Sequence, residues 1–221
     1  MKLIFDLDGT LIDARQRLHR LFTHLVPEAG LDFDAYWALK RDKQGHAAIL
    51  ARHLGWDADA IAAFERAWLA CIEGPQWLAL DQVLPGIPEA LARLGARAEL
   101  WLCTARQFRA PVLLQLQQLG LQRHFRQVLV TGQQESKEAL IRRSAGCLDG
   151  GDWLIGDTGH DVRTAQALGI RSCAVRSGFL SSARLLDYAP DLLLDSVADF
   201  RPEAALPPGA PAPHNERALT P

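Results

Sequence analysis

The segment Lys2-Leu3-Ile4-Phe5-Asp6-Leu7-Asp8-Gly9-Thr10 constrains the fold more than any other part of the chain. Leu3, Ile4 and Phe5 form a short continuous apolar run, the pattern of a strand buried on both faces, as in a parallel sheet. The run ends in two aspartates one residue apart, then a glycine that permits a sharp turn. In open α/β sheets, the carboxyl ends of the strands are where ligands bind. Two carboxylates this close repel each other and are costly to bury unpaired. A divalent cation removes the conflict, and Mg²⁺ favours oxygen ligands of this kind. An ordinary Asp/Gly turn is the competing reading of the segment taken alone.

Three later segments weigh against the plain turn. Leu100-Trp101-Leu102-Cys103-Thr104-Ala105-Arg106 is an apolar strand ending in a hydroxyl. Lys137 follows the apolar run Val128-Leu129-Val130 and the loop from Thr131 to Ser136. Trp153-Leu154-Ile155-Gly156-Asp157 is a further apolar strand ending in an acid, with Asp161 four residues on. One parallel sheet would bring all these groups to a single edge.

Between the first strand and Pro85-Gly86 the chain reads as helical. Leu18, Leu21, Phe22 and Leu25 recur at helical spacing, as do Ile61, Phe64, Trp68 and Ile72, with candidate caps at Asp57 and Asp59. Ile49, Leu50 and Leu54 suggest another helix. This insertion holds Trp37, Trp56, Trp68 and Trp77, four of the six tryptophans, which suit the filling of a small core of its own. After Pro88, strands near Glu99–Cys103, Gln127–Val130, Asp152–Ile155 and Arg171–Val175 alternate with helices near Ala110–Leu119, Lys137–Ala145 and Asp161–Leu168. A last short strand is placed near Asp191–Leu194. Such alternation predicts an α/β fold, Rossmann-like, with a parallel sheet covered on both faces. The expected organisation is a core of 1–12 and 83–200 and a helical cap of 13–82. The Pro-rich segment 201–221 is expected to be a disordered tail.

A net charge of -2 argues against a broad nucleic-acid surface. No apolar stretch approaches the ~20 residues that span a bilayer, and Asp6 interrupts the N-terminal apolar run, unlike a signal peptide. Cys71, Cys103, Cys147 and Cys173 form no Cys-x-x-Cys pair, and the two in predicted strands read as small core residues. A reducing cytoplasm is the expected setting.

The order Asp6-x-Asp8-Gly9-Thr10, Thr104, Lys137, Gly156-Asp157…Asp161 resembles the haloacid dehalogenase superfamily, mostly Mg²⁺-dependent phosphatases, from Met1 to about Phe200. The resemblance implies that Asp6 is a nucleophile forming an aspartyl phosphate. It implies that Asp6, the backbone carbonyl of Asp8 and Asp157 hold Mg²⁺. Thr104, with the Ala105 backbone and Lys137, would bind the phosphoryl group. Asp8 would protonate the leaving oxygen and later activate water, which needs its pKa raised relative to Asp6. Asp161 would orient Lys137 or a water on the metal, its competing reading being a helix N-terminal carboxylate. His160 reads as a loop residue.

The insertion stands where this family carries a cap that closes over the site and chooses the substrate. Lys40, Arg41, Lys43, Arg15 and His19 are its candidate specificity residues, with solvated surface the competing reading of the Lys40–Lys43 run. Phosphoglycolate phosphatases and their relatives usually follow the second-motif hydroxyl with Asn-Lys and the third-motif lysine with Pro. Here Ala105-Arg106 and Glu138 stand instead. The leading expectation is a phosphatase acting on a small phosphorylated metabolite. A phosphomutase of the β-phosphoglucomutase type uses the same two aspartates, and a non-catalytic regulator on the same fold is a third class.

Overall fold

The computed structural model describes residues 1–202, so the Pro-rich segment expected to be disordered lies almost wholly outside the described residues. The chain begins with β1 (Lys2–Phe5) and β2 (Ile12–Asp13). There follow α1 (Arg15–Leu25), α2 (Phe33–Arg41), α3 (His46–Leu54), α4 (Ala58–Cys71) and α5 (Pro75–Leu78). The chain returns through β3 (Gln82–Val83) into α6 (Ile87–Gly95), β4 (Glu99–Thr104), α7 (Arg109–Gln118), β5 (Gln127–Val130) and α8 (Lys137–Ala145). It ends with β6 (Trp153–Gly156), α9 (Gly159–Leu168), β7 (Arg171–Val175), α10 (Ser182–Leu186) and β8 (Leu192–Leu194).

Six strands form one parallel sheet in the order β5-β4-β1-β6-β7-β8. Leu3 pairs with Leu100 on one side and with Trp153 on the other. The chain builds outward from β1 through β4 and β5, then crosses back to build β6, β7 and β8. The switch therefore falls at β1, where crevices open beyond the strand ends. The strands read as unbroken apolar runs because both faces are covered. Leu3, Phe5 and Leu102 pack with Leu91, Val112 and Leu116 of α6 and α7. Ile4, Trp101 and Cys103 pack with Leu140, Ile141 and Ala165 of α8 and α9.

The helical insertion leaves and rejoins this sheet through a two-strand clasp, with Ile12 opposite Val83 and Asp13 opposite Gln82. Its own core gathers Phe22, Tyr36, Ile49, Leu50 and Phe64, with Trp37, Trp56 and Trp68 packed among them. Asp57 caps α4 by accepting from the Ala60 N–H at 2.9 Å. The sequence reading missed α2, a nine-residue helix whose apolar positions are mainly aromatic and which is capped by Asp32. It also missed α10, which at five residues is too short to show a period. None of the described helices is long and apolar enough to cross a membrane.

Polar contacts tie the insertion to the core. The buried Asp81, next to β3, accepts from Arg17 Nε at 2.9 Å and from Gln115 Nε2 at 2.8 Å. Glu73 accepts from the backbone N–H groups of Gln107 (2.6 Å) and Phe108 (3.1 Å), holding the loop just before α7 from the insertion side. At the far rim, Asp42 pairs with Arg184 at 2.8 Å in an exposed bridge.

These two kinds of bridge differ in worth. Asp81→Ala leaves the buried Arg17 Nε without its acceptor and removes one of the two carboxylates that balance Arg17 and Arg106, so a loss of about 3–5 kcal/mol is expected. Asp42→Ala removes an exposed pair, for which under ~1 kcal/mol is expected. Urea unfolding of the two variants measures both, and equal losses would contradict this ranking.

Candidate active site

The sheet topology delivers the polar groups to one edge. Asp6 lies one residue past β1, and its N–H still pairs with the Ile155 carbonyl at 2.9 Å. Thr104 is the last residue of β4, and Asp157 lies one residue past β6. Lys137 opens α8, whose Ser136 cap accepts from the Ala139 N–H at 3.1 Å. After β1 the chain folds back tightly, with the Leu7 carbonyl accepting from the N–H groups of Thr10, Leu11 and Ile12.

Two glycines make room for Asp157. Gly9 has φ +78°, and a Cβ there would come within 2.5 Å of the Asp157 carboxylate. At Gly178 a Cβ would come within 1.9 Å of it, so no side chain fits. Asp157 Oδ2 accepts from the Phe179 N–H at 2.7 Å, and Oδ1 from the Thr10 hydroxyl at 3.3 Å.

Lys137 joins two acids. Its Nζ donates to Asp6 Oδ1 at 2.7 Å and to Asp161 Oδ1 at 2.6 Å. Asp161 Oδ2 is taken by the N–H (3.2 Å) and hydroxyl (2.6 Å) of Thr158. Asp161 thus hydrogen-bonds the lysine while standing as an acid in the first turn of α9. Burial alone would lower the lysine's pKa, but Asp161 and Asp6 outweigh it and hold the ammonium charged.

Asp6, Asp157 and Asp161 offer buried carboxylate oxygens within 4.8 Å of one another. Burial, only partly offset by Lys137, pushes Asp6 up to about 6. Burial, reinforced by Asp6 and Asp161, raises Asp157 well above the carboxylate range. Three crowded acids around one ammonium leave negative charge uncompensated. This all-oxygen donor set fits a hard divalent cation. Asp161 is ion-paired to Lys137 and held by two donors of Thr158, whereas Asp157 accepts only from neutral donors, so Asp6 and Asp157 are the carboxylates best placed to hold it.

Asp8 departs from expectation. It was expected to have its pKa raised relative to Asp6, and the structure places the two the other way round. Its carboxylate accepts from Arg106 Nε (2.5 Å) and Nη2 (2.6 Å) and from Arg17 Nη2 (2.5 Å). Burial would raise its pKa, but the two guanidinium groups overcome that and hold it well below the usual range.

A cavity of about 310 Å³ opens at this edge, lined by Asp6, Asp8, Thr104, Ala105 and Lys137 together with Arg17, Arg106, Gln133 and Phe179. None of Arg15, His19, Lys40, Arg41 and Lys43 lines it. Arg15 pairs with Asp13 at 2.6 Å, and His19 Nε2 meets the Leu31 carbonyl at 3.0 Å. Lys40 is half-buried, and desolvation lowers its amine to about 8. The Arg41 carbonyl accepts from the Ser181 N–H at 3.1 Å, and Lys43 stands over the Tyr188 ring. That run binds the insertion to the core rim because its neighbours there are an acid-seeking arginine and an aromatic ring. His160, read as a loop residue, belongs to the first turn of α9 and lines the cavity mouth.

Sequence reasoning passed over Arg17, Arg106 and Phe179. Arg17 lies on the same helix as Arg15 and His19 but faces inward. Arg106 was noted only as a departure from a pattern. Phe179 follows a glycine just beyond β7, the one trace of it in the sequence.

The haloacid dehalogenase-like hydrolase family model matches residues 3–175. Phosphoglycolate phosphatase 1 of Pseudomonas aeruginosa is 26% identical over 235 residues, covering 97% of this chain and 85% of that protein. The phosphoglycolate phosphatase of Agrobacterium fabrum is 28% identical over 216 residues, covering 90% of each. Among solved structures, a haloacid dehalogenase-like hydrolase from Streptococcus pneumoniae superposes with a TM-score of 0.75 at 22% identity, covering 89% of this chain and 94% of that one. A predicted phosphoglycolate phosphatase from Haemophilus somnus gives 0.68 at 19%, covering 89% and 94%. These superpositions establish a shared fold.

The raised Asp6 sets a pH test. Its folded value near 6 exceeds the ordinary 3.8. Without cation, its contribution to stability is therefore full below pH 3.8 and is lost as pH rises through about 6. A bound cation needs the ionised form and competes with the proton. The rise in Tm on adding Mg²⁺ is expected to be large at pH 7.5 and to shrink as pH falls through about 6. A Mg²⁺ effect constant across that range would contradict the placement of the cation on Asp6.

Proposed function

The chain belongs to the haloacid dehalogenase-like hydrolase family, and from that premise we propose that it is a Mg²⁺-dependent phosphatase hydrolysing a small phosphomonoester through an aspartyl phosphate on Asp6. The observation that carries this reading is the juxtaposition of Asp6, Lys137 and Thr104 in one small cavity beside a crowded acidic cluster. That the chain is a phosphatase of this family agrees with its phosphatase-named relatives. Phosphoglycolate, which their names give as substrate, is the first compound to try.

Asp6, with one oxygen held by Lys137, presents its other oxygen to phosphorus. Lys137 and the Thr104 hydroxyl stabilise charge on the phosphoryl oxygens, with the Ala105 backbone beside them. Asp6 and Asp157 would hold Mg²⁺ together with the Asp8 carbonyl, and when bound it supplies charge compensation to the phosphoryl group. Asp8 handles the proton of the leaving oxygen and then of the attacking water. Asp161 keeps Lys137 in place. The helical insertion acts as the cap, and the protein works in the cytoplasm on a small soluble metabolite.

A panel of phosphorylated metabolites assayed for phosphate release with Mg²⁺ tests this reading. Phosphate release abolished by Asp6→Asn is the expected result, because an amide is neither nucleophile nor anionic ligand. Isomerisation of a sugar phosphate without release would favour a mutase instead. Turnover surviving in Asp6→Asn would remove Asp6 as nucleophile. Thr104→Ala is expected to lower kcat by roughly 10²–10³, the usual loss for one transition-state donor. A change below about threefold in steady-state kinetics would leave Thr104 with a structural role only.

A further inference from the structure

The segment that follows β7 touches both halves of the molecule. On the core side, Ser177 Oγ donates to the Gly9 carbonyl at 2.7 Å. Gly178 lies against the Asp157 carboxylate with no room for a side chain. The next residue, Phe179, donates its N–H to Asp157 Oδ2 at 2.7 Å. Its ring points the other way in the architecture and joins the aromatic core of the helical insertion. The partner there is Trp37 of α2, with ring centroids 5.5 Å apart. Trp37 is only 6% exposed, and its Nε1 is buried without a hydrogen-bond partner. Packing against Phe33, Tyr36 and Phe179 is therefore what holds that ring.

One residue thus carries two contacts of different kinds. Asp157 is one of the two carboxylates placed best for the cation, and neutral donors that orient such a ligand matter nearly as much as the ligand itself. The donor here is a backbone N–H, which no substitution other than proline removes. What a side chain can change is where that N–H points. With the Phe179 ring seated against Trp37, the residue is fixed from the insertion side. The other ties of this segment to α2 lie at the rim, from the Ser181 N–H to the Arg41 carbonyl and from Arg184 to Asp42. The latter is an exposed pair of little worth.

We propose that Phe179 is a positioning residue that couples the seating of the helical insertion to the cation site, its ring reading the insertion through Trp37 and its N–H setting Asp157. This deepens the phosphatase reading and rests on the cation site within it. Coupling of this kind is reciprocal. An insertion lifted from Phe179 loosens the hold on the cation, and a bound cation holds the insertion down. The competing arrangement is a segment fixed by Ser177 and the buried Leu180 alone, with the Phe179 ring serving only to fill space.

The test uses Mn²⁺, which takes the oxygen ligands that suit Mg²⁺, titrated into the full-length protein and followed by loss of the free-ion EPR signal. Phe179→Leu and Trp37→Leu are each expected to weaken Mn²⁺ at least about fivefold, although neither alters a ligand or a donor. The double variant is expected to be no weaker than the worse single one, because both act through one contact. Phe64→Leu removes a ring from the same core, one that pairs with Phe22, Trp56 and Trp68. It is expected to lower Tm while leaving Mn²⁺ affinity within about twofold, and it serves as the measure of mere loosening. Unchanged affinity in both leucine variants of the pair, additive losses in the double variant, or an equal loss in Phe64→Leu overturns the coupling. Phosphate release by the parent on the metabolite panel alongside any of these removes the role of Phe179 alone. A parent that binds no Mn²⁺ and releases no phosphate removes the cation site and the phosphatase reading beneath it as well.

Discussion

The structure is organised around an electrostatic conflict at the carboxyl edge of the sheet. Asp6, Asp157 and Asp161 bring three buried carboxylates within 4.8 Å of one another, and a single ammonium, Lys137, stands among them. Isolated, such a cluster opposes folding. Its surroundings reduce the conflict step by step. Lys137 neutralises one charge. The Phe179 N–H, the Thr10 hydroxyl and Thr158 donate to oxygens that would otherwise be bare. Gly9 and Gly178 vacate the space that lets Asp157 approach. What remains is a deficit of positive charge, visible in the raised carboxyls of Asp6 and Asp157. A divalent cation matches that deficit in charge and in ligand type.

Only two residues from Asp6, the second aspartate lives under the opposite regime. Asp8 and Asp81 face Arg17 and Arg106, two carboxylates against two guanidinium groups, so this network is internally neutral. Arg17 comes from the helical insertion and Arg106 from the core loop after β4. The network therefore holds the insertion against the carboxyl edge of the sheet and fixes Asp8 in the same set of contacts. Buried pairs of this kind are weak sources of net stability but strongly penalise loss of one partner. Their yield here is position, since Asp8 cannot turn away from the cavity without giving up its contacts to two arginines.

Much of this could be read from the chain because the informative signals were local. A continuous apolar run followed by an acid, as at Leu3–Asp6 or Leu154–Asp157, declares a two-faced strand and a group at its end without knowledge of partners. Lys137 was placed at a helix start by the loop before it, and α8 begins there. What escaped depends on which way side chains face. Arg15, Arg17 and His19 share one helix, and nothing in their order shows that Arg17 is the one turned to Asp8. The Lys40–Lys43 run looked like an anion site because its charge is local, whereas its partners, Asp42's Arg184 and Lys43's Tyr188, lie more than a hundred residues away in sequence. The inverted ordering of Asp6 and Asp8 has the same cause, because Arg106 reaches Asp8 across 98 positions.

The two charge regimes bear on how one aspartate could serve both halves of a hydrolysis. With both arginines in contact, Asp8 is held as a carboxylate, the form that takes a proton from water when the acyl phosphate breaks down. The first half needs the opposite, a proton to give to the leaving oxygen. A phosphoryl group entering beside Asp6 brings negative charge close to Asp8, and like charge raises a carboxyl's pKa. In the proposed hydrolysis, filling the site would shift Asp8 toward its acid form, and departure of the alcohol would restore the arginines' full hold and with it the base. On this physical reading the clamp that seemed to contradict a proton donor is what lets the same group change roles as the leaving group comes and goes.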